Sequence, residues 1–159
     1  MTILKPKDVE TLIQMAHAQT RFSMCLKKKV GAALYSTTDR AIYGLGHGGP
    51  KIPCKECVRK KYEWTQDGCW SIHAEIRAIF DYFKKEGYNN PFISCVMFTT
   101  HGPCDGCLKY MNYFGIGSVV YDIPYHNDYS KWVGKIRVFS KEEYLKNCYD
   151  IDEPWEPKE

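Results

Sequence analysis

Two short motifs rich in potential metal ligands constrain this chain more than any other feature. They are His-Ala-Glu at residues 73–75 and Pro-Cys-Asp-Gly-Cys at residues 103–107. Each stands at the start of a predicted helix, where the macrodipole and free backbone N–H groups stabilise thiolates. His73, Cys104 and Cys107 supply three zinc-type ligands and leave a fourth position for water. We therefore expect a fold that brings the two helix starts together around one zinc ion.

Glu75 gives the first motif a catalytic option, because it lies two residues after His73. Its carboxylate can point into the site without binding the metal, accept a proton from water and return it to a leaving group. Each motif alone has a plainer interpretation: a lone His-x-Glu is commonly a surface feature, and a lone Cys-x-x-Cys is also typical of redox sites or half of a structural zinc site. A zinc ribbon pairing residues 54–57 with 104–107 is excluded, because too many residues separate the two. The combination therefore favours a catalytic zinc.

Hydrophobic periodicity predicts alternating helices and strands. The predicted helices cover residues 7–21, 72–87, 104–111 and 141–148. The predicted strands cover residues 30–35, 41–45, 92–98, 118–121 and 136–139, with a turn at 36–39. Strand–helix–strand alternation places helices on both faces of a sheet. We therefore expect an α/β fold, a three-layer α/β/α sandwich with a central mixed sheet of about five strands.

The length of 159 residues predicts one domain. We assign residues 1–149 to this domain, with an irregular Cys-rich insertion at 46–71, and residues 150–159 to an acidic, mobile tail. The sequence has no run of 18 apolar residues, as a membrane-spanning helix would need. Its start also lacks the apolar core of a secretory signal. We therefore expect a cytoplasmic protein with no membrane partner.

Eight cysteines are many for such a chain. In a reducing compartment they are more often metal ligands or core residues than disulfides. Cys95, in a predicted buried strand, and Cys148 are expected to be core cysteines.

His-Ala-Glu followed by Pro-Cys-x-x-Cys resembles the signature of zinc-dependent nucleobase deaminases. The chain is most similar to the deoxycytidylate (dCMP) branch of the cytidine and deoxycytidylate deaminase superfamily, over about residues 8–145. Residues 22–32 resemble the start of that branch's first strand, Ser-x-Cys-x-(basic)-(basic)-x-Val-Gly-Ala. The Cys- and Gly-rich insertion resembles the branch as well, and so do residues 119–121 followed by Tyr125.

The resemblance implies a catalytic zinc bound by His73, Cys104 and Cys107, with Glu75 as the proton shuttle. It implies hydrolytic deamination of a pyrimidine deoxyribonucleotide, from dCMP to dUMP and ammonia. Water adds to C4 of the cytosine ring, Glu75 protonates the ring and the amine, and ammonia leaves. The family pattern also implies a homo-oligomer with a small-molecule nucleotide substrate.

Some deaminases that resemble this chain hold a second, structural zinc. The resemblance implies that its ligands here are Cys25, Cys54, Cys57 and Cys69. Four thiolates make a closed tetrahedral site, which would explain how so irregular an insertion stays folded. Two alternatives stay open. Cys25 is a core residue and the others are free thiols, or a histidine, His47 or His17, replaces one of the four.

Two departures from the branch concern the substrate. The branch commonly has Gly-Tyr-Asn-Gly after the second strand, with the Asn contacting the nucleotide, whereas this chain has Gly-His-Gly-Gly at 46–49. Where the branch often has Asn after the catalytic glutamate, this chain has Arg77, which either binds a phosphate bidentately or is a solvated helix residue. A related nucleotide such as dCTP or a 5-modified dCMP therefore stays open. The candidate substrate contacts are His47, Arg77, His101, Tyr125 and His126.

Charge separates the remaining alternatives. The net charge of the whole chain is +3. The last ten residues have a net charge of −4, and the rest of the chain has a net charge of +7. A mildly basic body suits an anionic ligand such as a nucleotide and is only weak support for a polynucleotide deaminase, which needs a basic groove with stacking aromatics. The other rival is a non-catalytic, zinc-stabilised binding protein. Glu75 argues against it, because a purely structural site does not need that carboxylate.

Overall fold

The computed structural model of this chain describes residues 4–58, 69–88 and 92–147. The helices in these ranges are α1 (Pro6–Gln19), α2 (Ala74–Glu86), α3 (Asp105–Tyr113) and α4 (Lys141–Asn147). The strands are β1 (Gly31–Ser36), β2 (Ala41–His47), β3 (Cys95–His101), β4 (Ser118–Ile123) and β5 (Arg137–Ser140). Short 3₁₀ turns lie at Thr20–Phe22 and Tyr129–Trp132. No described helix has both the length and the hydropathy needed to cross a bilayer.

The five strands form one mixed sheet in the order β2-β1-β3-β4-β5. β1 pairs antiparallel with β2 and β3, whereas β3, β4 and β5 run parallel. Parallel neighbours need a crossover connection, and α3 supplies it between β3 and β4. The β3–β4 crossover therefore starts at the edge of the sheet where β3 ends, which is where the second ligand motif lies.

Alternate residues of the central strands face two separate cores. Ala32 and Leu34 of β1 pack with α2 and α3 in one core, whereas Ala33 packs with α1 and α4 in the other. β3 divides in the same way, with Met97 on the first face and Phe98 on the second. Burial of both faces explains why the strands are continuously apolar rather than alternating. The predicted three-layer α/β/α fold is confirmed.

Two glycines let α2 lie directly on β2. A Cβ on Gly44 would stand 2.0 Å from the Ala78 carbonyl oxygen, and one on Gly46 would stand 2.1 Å from the Ala74 carbonyl oxygen. Real Cβ atoms do not come so close, so β2 and α2 can pack at this distance only because these residues have no side chain. The first turn of α2, which carries Glu75, is thereby held against the end of β2.

Some predicted boundaries are wrong. The strand predicted at 92–98 is β3 at Cys95–His101. Phe92 is fully buried, but it precedes the strand, because Ser94 has a left-handed backbone (φ 61°) that an extended strand cannot contain. Parts of the predicted 46–71 insertion and 141–148 helix, as well as Cys148 and the 150–159 tail, lie outside the described residues, so the domain assignment stays a prediction.

Candidate metal centre and active site

Three side chains from two helix starts converge at the edge of the sheet. His73 is the N-cap of α2 and Cys104 the N-cap of α3, both with extended backbone, and Cys107 lies in the first turn of α3. The His73 Nδ1 atom lies 3.3 Å from the Cys107 sulfur and 3.5 Å from the Cys104 sulfur. Tetrahedral zinc with bonds of about 2.0–2.3 Å separates its ligand atoms by roughly 3.5 Å, so these residues fit the metal.

Among the described ranges, this triple is the one group of His, Cys, Asp or Glu side chains whose ligand atoms all lie within 4.8 Å of one another. The convergence follows from the topology. α2 begins immediately after His73 and packs on β2, while α3 begins immediately after Cys104 at the end of β3. The starts of α2 and α3 therefore bring together three side chains that could hold a metal.

The side chains of Cys104 and Cys107 shift each other's pKa in opposite directions. The hydrogen bond from Cys107, together with His73, lowers the pKa of Cys104 to about 4 despite its burial. The same hydrogen bond and burial raise the pKa of Cys107. Both cysteines would bind a metal as thiolates, so metal binding at this site would be coupled to proton release.

Glu75 is buried beside this group, with only 4% of its surface exposed. Its Oε2 atom accepts a hydrogen bond from the Cys107 thiol at 3.5 Å. Burial raises the pKa of the Glu75 carboxyl above its ordinary value. A buried carboxyl next to a ligand set is suited to accepting a proton from water and returning it, whereas a surface His-x-Glu would leave the carboxyl solvated.

A cavity of about 720 Å³ opens in front of the three groups His73, Glu75 and Cys104. The sequence-predicted contacts His101 and Tyr125 both line it. His101 Nδ1 is hydrogen-bonded to the Thr100 hydroxyl at 2.8 Å, and burial, followed by the charge of Lys28, lowers the pKa of His101. These two residues are therefore placed where a ligand in the cavity would meet them.

His126 is placed elsewhere. It is exposed and lines a neighbouring groove of about 740 Å³ between α2 and α3, with Phe80 and Tyr110. His73 and Cys104 line both spaces. His126 therefore faces the groove rather than the cavity that contains Glu75.

Arg77 differs from both sequence-based expectations. Its guanidinium donates hydrogen bonds to the carbonyl oxygens of His47 at 2.8 Å and of Gly49 at 3.0 Å. Gly49 is in turn bridged to Ile72 by two backbone hydrogen bonds of 3.0 and 3.1 Å. Arg77 is therefore not a solvated helix residue, and its donors are directed at the backbone rather than at a phosphate. The guanidinium ties the Gly-rich segment to the residue before His73.

His47 is also not on the cavity wall. Its ring centroid lies 6.0 Å from that of Phe22, and burial and then the charge of Arg77 lower the pKa of His47. The ring packs toward Phe22 and the carbonyl oxygen accepts from Arg77, so the predicted nucleotide contact of His47 stays a prediction.

The four cysteines of the predicted second zinc site all line the large cavity and are partly buried. They are Cys25, Cys54, Cys57 and Cys69. In the described part of the chain, no three of their sulfurs come within 4.8 Å of one another. The connection between residues 57 and 69 includes 59–68, which is outside the described residues, so the site stays a prediction. Within the same described residues His17 joins no such group, and its Nε2 atom pairs with Asp122 Oδ2 at 2.7 Å.

Sequence reasoning missed a loop that fastens onto the ligand turn. Asp105, immediately after Cys104, accepts hydrogen bonds from Asn127 (3.1 Å), Trp132 (2.9 Å) and Lys131 (2.5 Å). These partners, Lys131 first, lower the pKa of Asp105 to about 2. No local pattern in the sequence marks these pairings, because more than twenty residues separate the partners. They hold the loop that carries Tyr125 against the metal-ligand turn.

Comparisons with known proteins agree with this geometry. The family described as the cytidine and deoxycytidylate deaminase zinc-binding region matches residues 6–123. Among solved structures, the dCMP deaminase from the cyanophage S-TIM5 in complex with dCMP and dUMP has a TM-score of 0.68 at 23% identity, covering 86% of this chain and 98% of that one. RibD from Acinetobacter baumannii has a TM-score of 0.59 at 14% identity, covering 91% of this chain and 37% of that one.

A structure from studies of A-to-I editing by tRNA:A34 deaminases is also similar, with a TM-score of 0.55 at 14% identity. It covers 82% of this chain and 97% of that one. No curated protein sequence matches this chain. At these identities the likeness to solved structures concerns the fold.

Proposed function

Because this chain belongs to the family defined by the cytidine and deoxycytidylate deaminase zinc-binding region, we propose that it is a zinc-dependent enzyme that hydrolyses dCMP to dUMP and ammonia. The observation that carries the proposal is the buried Glu75 carboxyl beside the group formed by His73, Cys104 and Cys107. A structural metal site would gain nothing from a carboxyl at this depth, because burying it costs free energy.

The residues divide the chemistry between them. His73, Cys104 and Cys107 would hold the zinc ion, which when bound supplies a Lewis acid that lowers the pKa of water. Glu75 accepts a proton as the water oxygen bonds to C4 of the cytosine ring, and donates it to the ring nitrogen. Glu75 then carries a second proton to the amino group, which leaves as ammonia. The net reaction adds one water and releases one ammonia.

The surroundings support this role for Glu75. The walls of the cavity are largely apolar, so the carboxyl operates in a medium of low dielectric where its raised pKa is retained. The clamp formed by Arg77 and the Gly-rich segment holds the residue before His73, and Asp105 holds the turn that carries Cys104. Rigid support of this kind keeps the three candidate ligands and Glu75 in fixed positions relative to one another.

A competition assay tests the proposal. Zinc-loaded protein is incubated with an equimolar mixture of cytosine, cytidine, deoxycytidine, CMP, dCMP and dCTP, and the products are separated by chromatography. We expect dUMP to form with wild type and not with Glu75→Gln. If another compound of the mixture is deaminated instead, the proposed deaminase chemistry stands and the proposed substrate is replaced by that compound. If nothing is consumed but a cytosine-containing oligonucleotide is deaminated, the polynucleotide alternative replaces the mononucleotide one.

We also propose that the chain forms a homo-oligomer. The support is the groove between α2 and α3, where Phe80 and Tyr110 are about half exposed beside the metal-ligand residues. Light scattering during size-exclusion chromatography measures the mass directly. A monomer mass at concentrations above those used for activity would contradict the proposal.

A further inference from the structure

The loop that follows β4 is bonded to the metal-ligand turn through one carboxylate. We call residues 123–132 the β4 loop. The Oδ1 atom of Asp105 accepts hydrogen bonds from Asn127 Nδ2 at 3.1 Å and from Trp132 Nε1 at 2.9 Å. Its Oδ2 atom accepts from Lys131 Nζ at 2.5 Å. Both oxygens of the residue after the candidate ligand in this turn are therefore engaged by the β4 loop.

The backbone of the turn is bonded to the same loop. The Pro103 carbonyl oxygen accepts a hydrogen bond from the Tyr129 hydroxyl at 2.9 Å. The Gly102 N–H donates to the Ile123 carbonyl oxygen at 2.8 Å. A Cβ on Gly102 would stand 2.5 Å from the Tyr129 hydroxyl oxygen, so a side chain at this position would displace that hydroxyl. Residues on both sides of Cys104 are thus held by the β4 loop.

The β4 loop also forms part of the cavity wall. Tyr125 lines the cavity that contains Glu75. Its ring centroid lies 4.8 Å from the Nζ atom of Lys28, the middle member of a run of three lysines before β1, and Lys28 lines the cavity as well. Residues 124–128 belong to no helix or strand, so their order depends on contacts outside this segment. One irregular segment therefore joins the metal-ligand turn to the cavity.

We propose that Asp105 is a positioning residue that couples zinc binding to the order of the β4 loop. Binding of zinc by Cys104 would fix the turn to which the loop is bonded, and the bonded loop would hold the Cys104 sulfur in place for the metal. By linkage, the loop raises the zinc affinity by the same factor by which zinc stabilises the bonded loop. The inference rests on the metal site of the proposed function, and it requires no catalytic turnover.

The first test measures zinc affinity by competition with a chromogenic chelator. Asp105→Ala should weaken zinc binding by about 10-fold, which is the lower end of what outer-shell partners contribute, because the carboxylate is partly exposed. Asp105→Asn should recover part of this loss, since its amide oxygen can still accept hydrogen bonds from the loop. The matched control is Glu86→Ala, which removes an exposed carboxylate at the last residue of α2 and should stay within about twofold of wild type. Cys107→Ser identifies the titration step that belongs to this site.

The second test distinguishes coupling from a general loss of structure. Hydrogen exchange of the backbone amides is followed by mass spectrometry, without zinc and at saturating zinc. In wild type, zinc should slow exchange in the β4 loop. In Asp105→Ala most of this slowing should be lost even at saturating zinc, whereas exchange in β1 should stay as in wild type.

A milder variant tests whether the bonds act through one loop. Tyr129→Phe removes only the hydroxyl that donates to Pro103 and should weaken zinc binding by roughly 2- to 10-fold. In the Asp105→Ala background the same change should have a smaller effect, because both changes release the same loop. If the two losses multiply in the double variant, each bond acts on the turn separately and the coupling through the loop is wrong.

The remaining outcomes separate this inference from the proposed function. An unchanged zinc affinity in Asp105→Ala, zinc-dependent slowing that persists there, or faster exchange in β1 as well as in the loop overturns the coupling and leaves the deaminase proposal intact. A wild type that binds zinc at this site and deaminates no cytosine compound refutes the proposed function, and the affinities and exchange rates alone then decide about Asp105. A wild type that binds no zinc at this site refutes both.

Discussion

Replacement of Arg77 distinguishes a backbone clamp from a phosphate ligand. The guanidinium joins two carbonyl oxygens, those of His47 at 2.8 Å and Gly49 at 3.0 Å. A hydrogen bond from a charged donor contributes about 1.5–3 kcal/mol when buried. Arg77 is only half-buried, so we take about 1–1.5 kcal/mol for each bond, at or just below the lower end of that range. Arg77→Ala should therefore lower the free energy of unfolding by about 2–3 kcal/mol.

The corresponding loss of thermal stability is measurable. For a domain of this size, 1 kcal/mol shifts the melting temperature by about 2–4 °C, so Arg77→Ala should melt roughly 4–12 °C below wild type. Arg77→Lys should recover at most half of this loss, because one ammonium cannot reproduce the two-pronged contact. Lys84→Gln, an exposed change on the same helix, should stay within about 0.5 kcal/mol of wild type.

Differential scanning calorimetry with the zinc-loaded proteins measures these shifts, and kinetics with dCMP and deoxycytidine measure the alternative. If Arg77 were a phosphate ligand, Arg77→Ala would keep its melting temperature and raise KM for dCMP selectively. Arg77→Lys would then retain much of the affinity, since an ammonium also binds phosphate. That combination of results would refute the clamp.

Three further predictions follow from single side chains. Glu75→Gln should lower kcat by a factor of about 10²–10⁴ without loss of zinc, because Gln cannot transfer the proton. Steady-state kinetics and metal analysis measure the two quantities. A kcat above one-tenth of the wild-type value would contradict the proton-shuttle role. The pKa of Asp105 is lowered from 3.8 to about 2, so its carboxylate stabilises the fold above pH 3.8 and this stabilisation is lost as the pH falls toward 2. The melting temperature of metal-free wild type should therefore fall more steeply from pH 4 to pH 2 than that of Asp105→Asn, and parallel curves would contradict this. Burial raises the pKa of Cys95 to about 12, so iodoacetamide at pH 8 should label it much more slowly in native than in unfolded protein, as peptide mass spectrometry would show.

The candidate ligand residues could be identified from the sequence because their constraints are local. His73 and Cys104 are each the N-cap of a helix, and helix starts are marked by nearby residues. The two buried faces of the sheet could also be inferred, because continuous apolar strands alternating with amphipathic helices fit few architectures. Strand boundaries were less well predicted. Ser94 adopts a left-handed backbone that its residue type does not indicate.

The contacts of Arg77, Lys28 and Asp105 were decided by tertiary structure. Arg77 meets His47 and Gly49 only because two glycines allow α2 to lie on β2. The lysine run reads as uniform in sequence, yet its direction of approach to β1 turns one member toward the cavity. Helix starts and apolar periodicity depend on neighbours along the chain, so the sequence alone indicated the candidate metal ligands and determined the layers. A side chain's partner across the fold depends on how strands and helices pack, which no local pattern records.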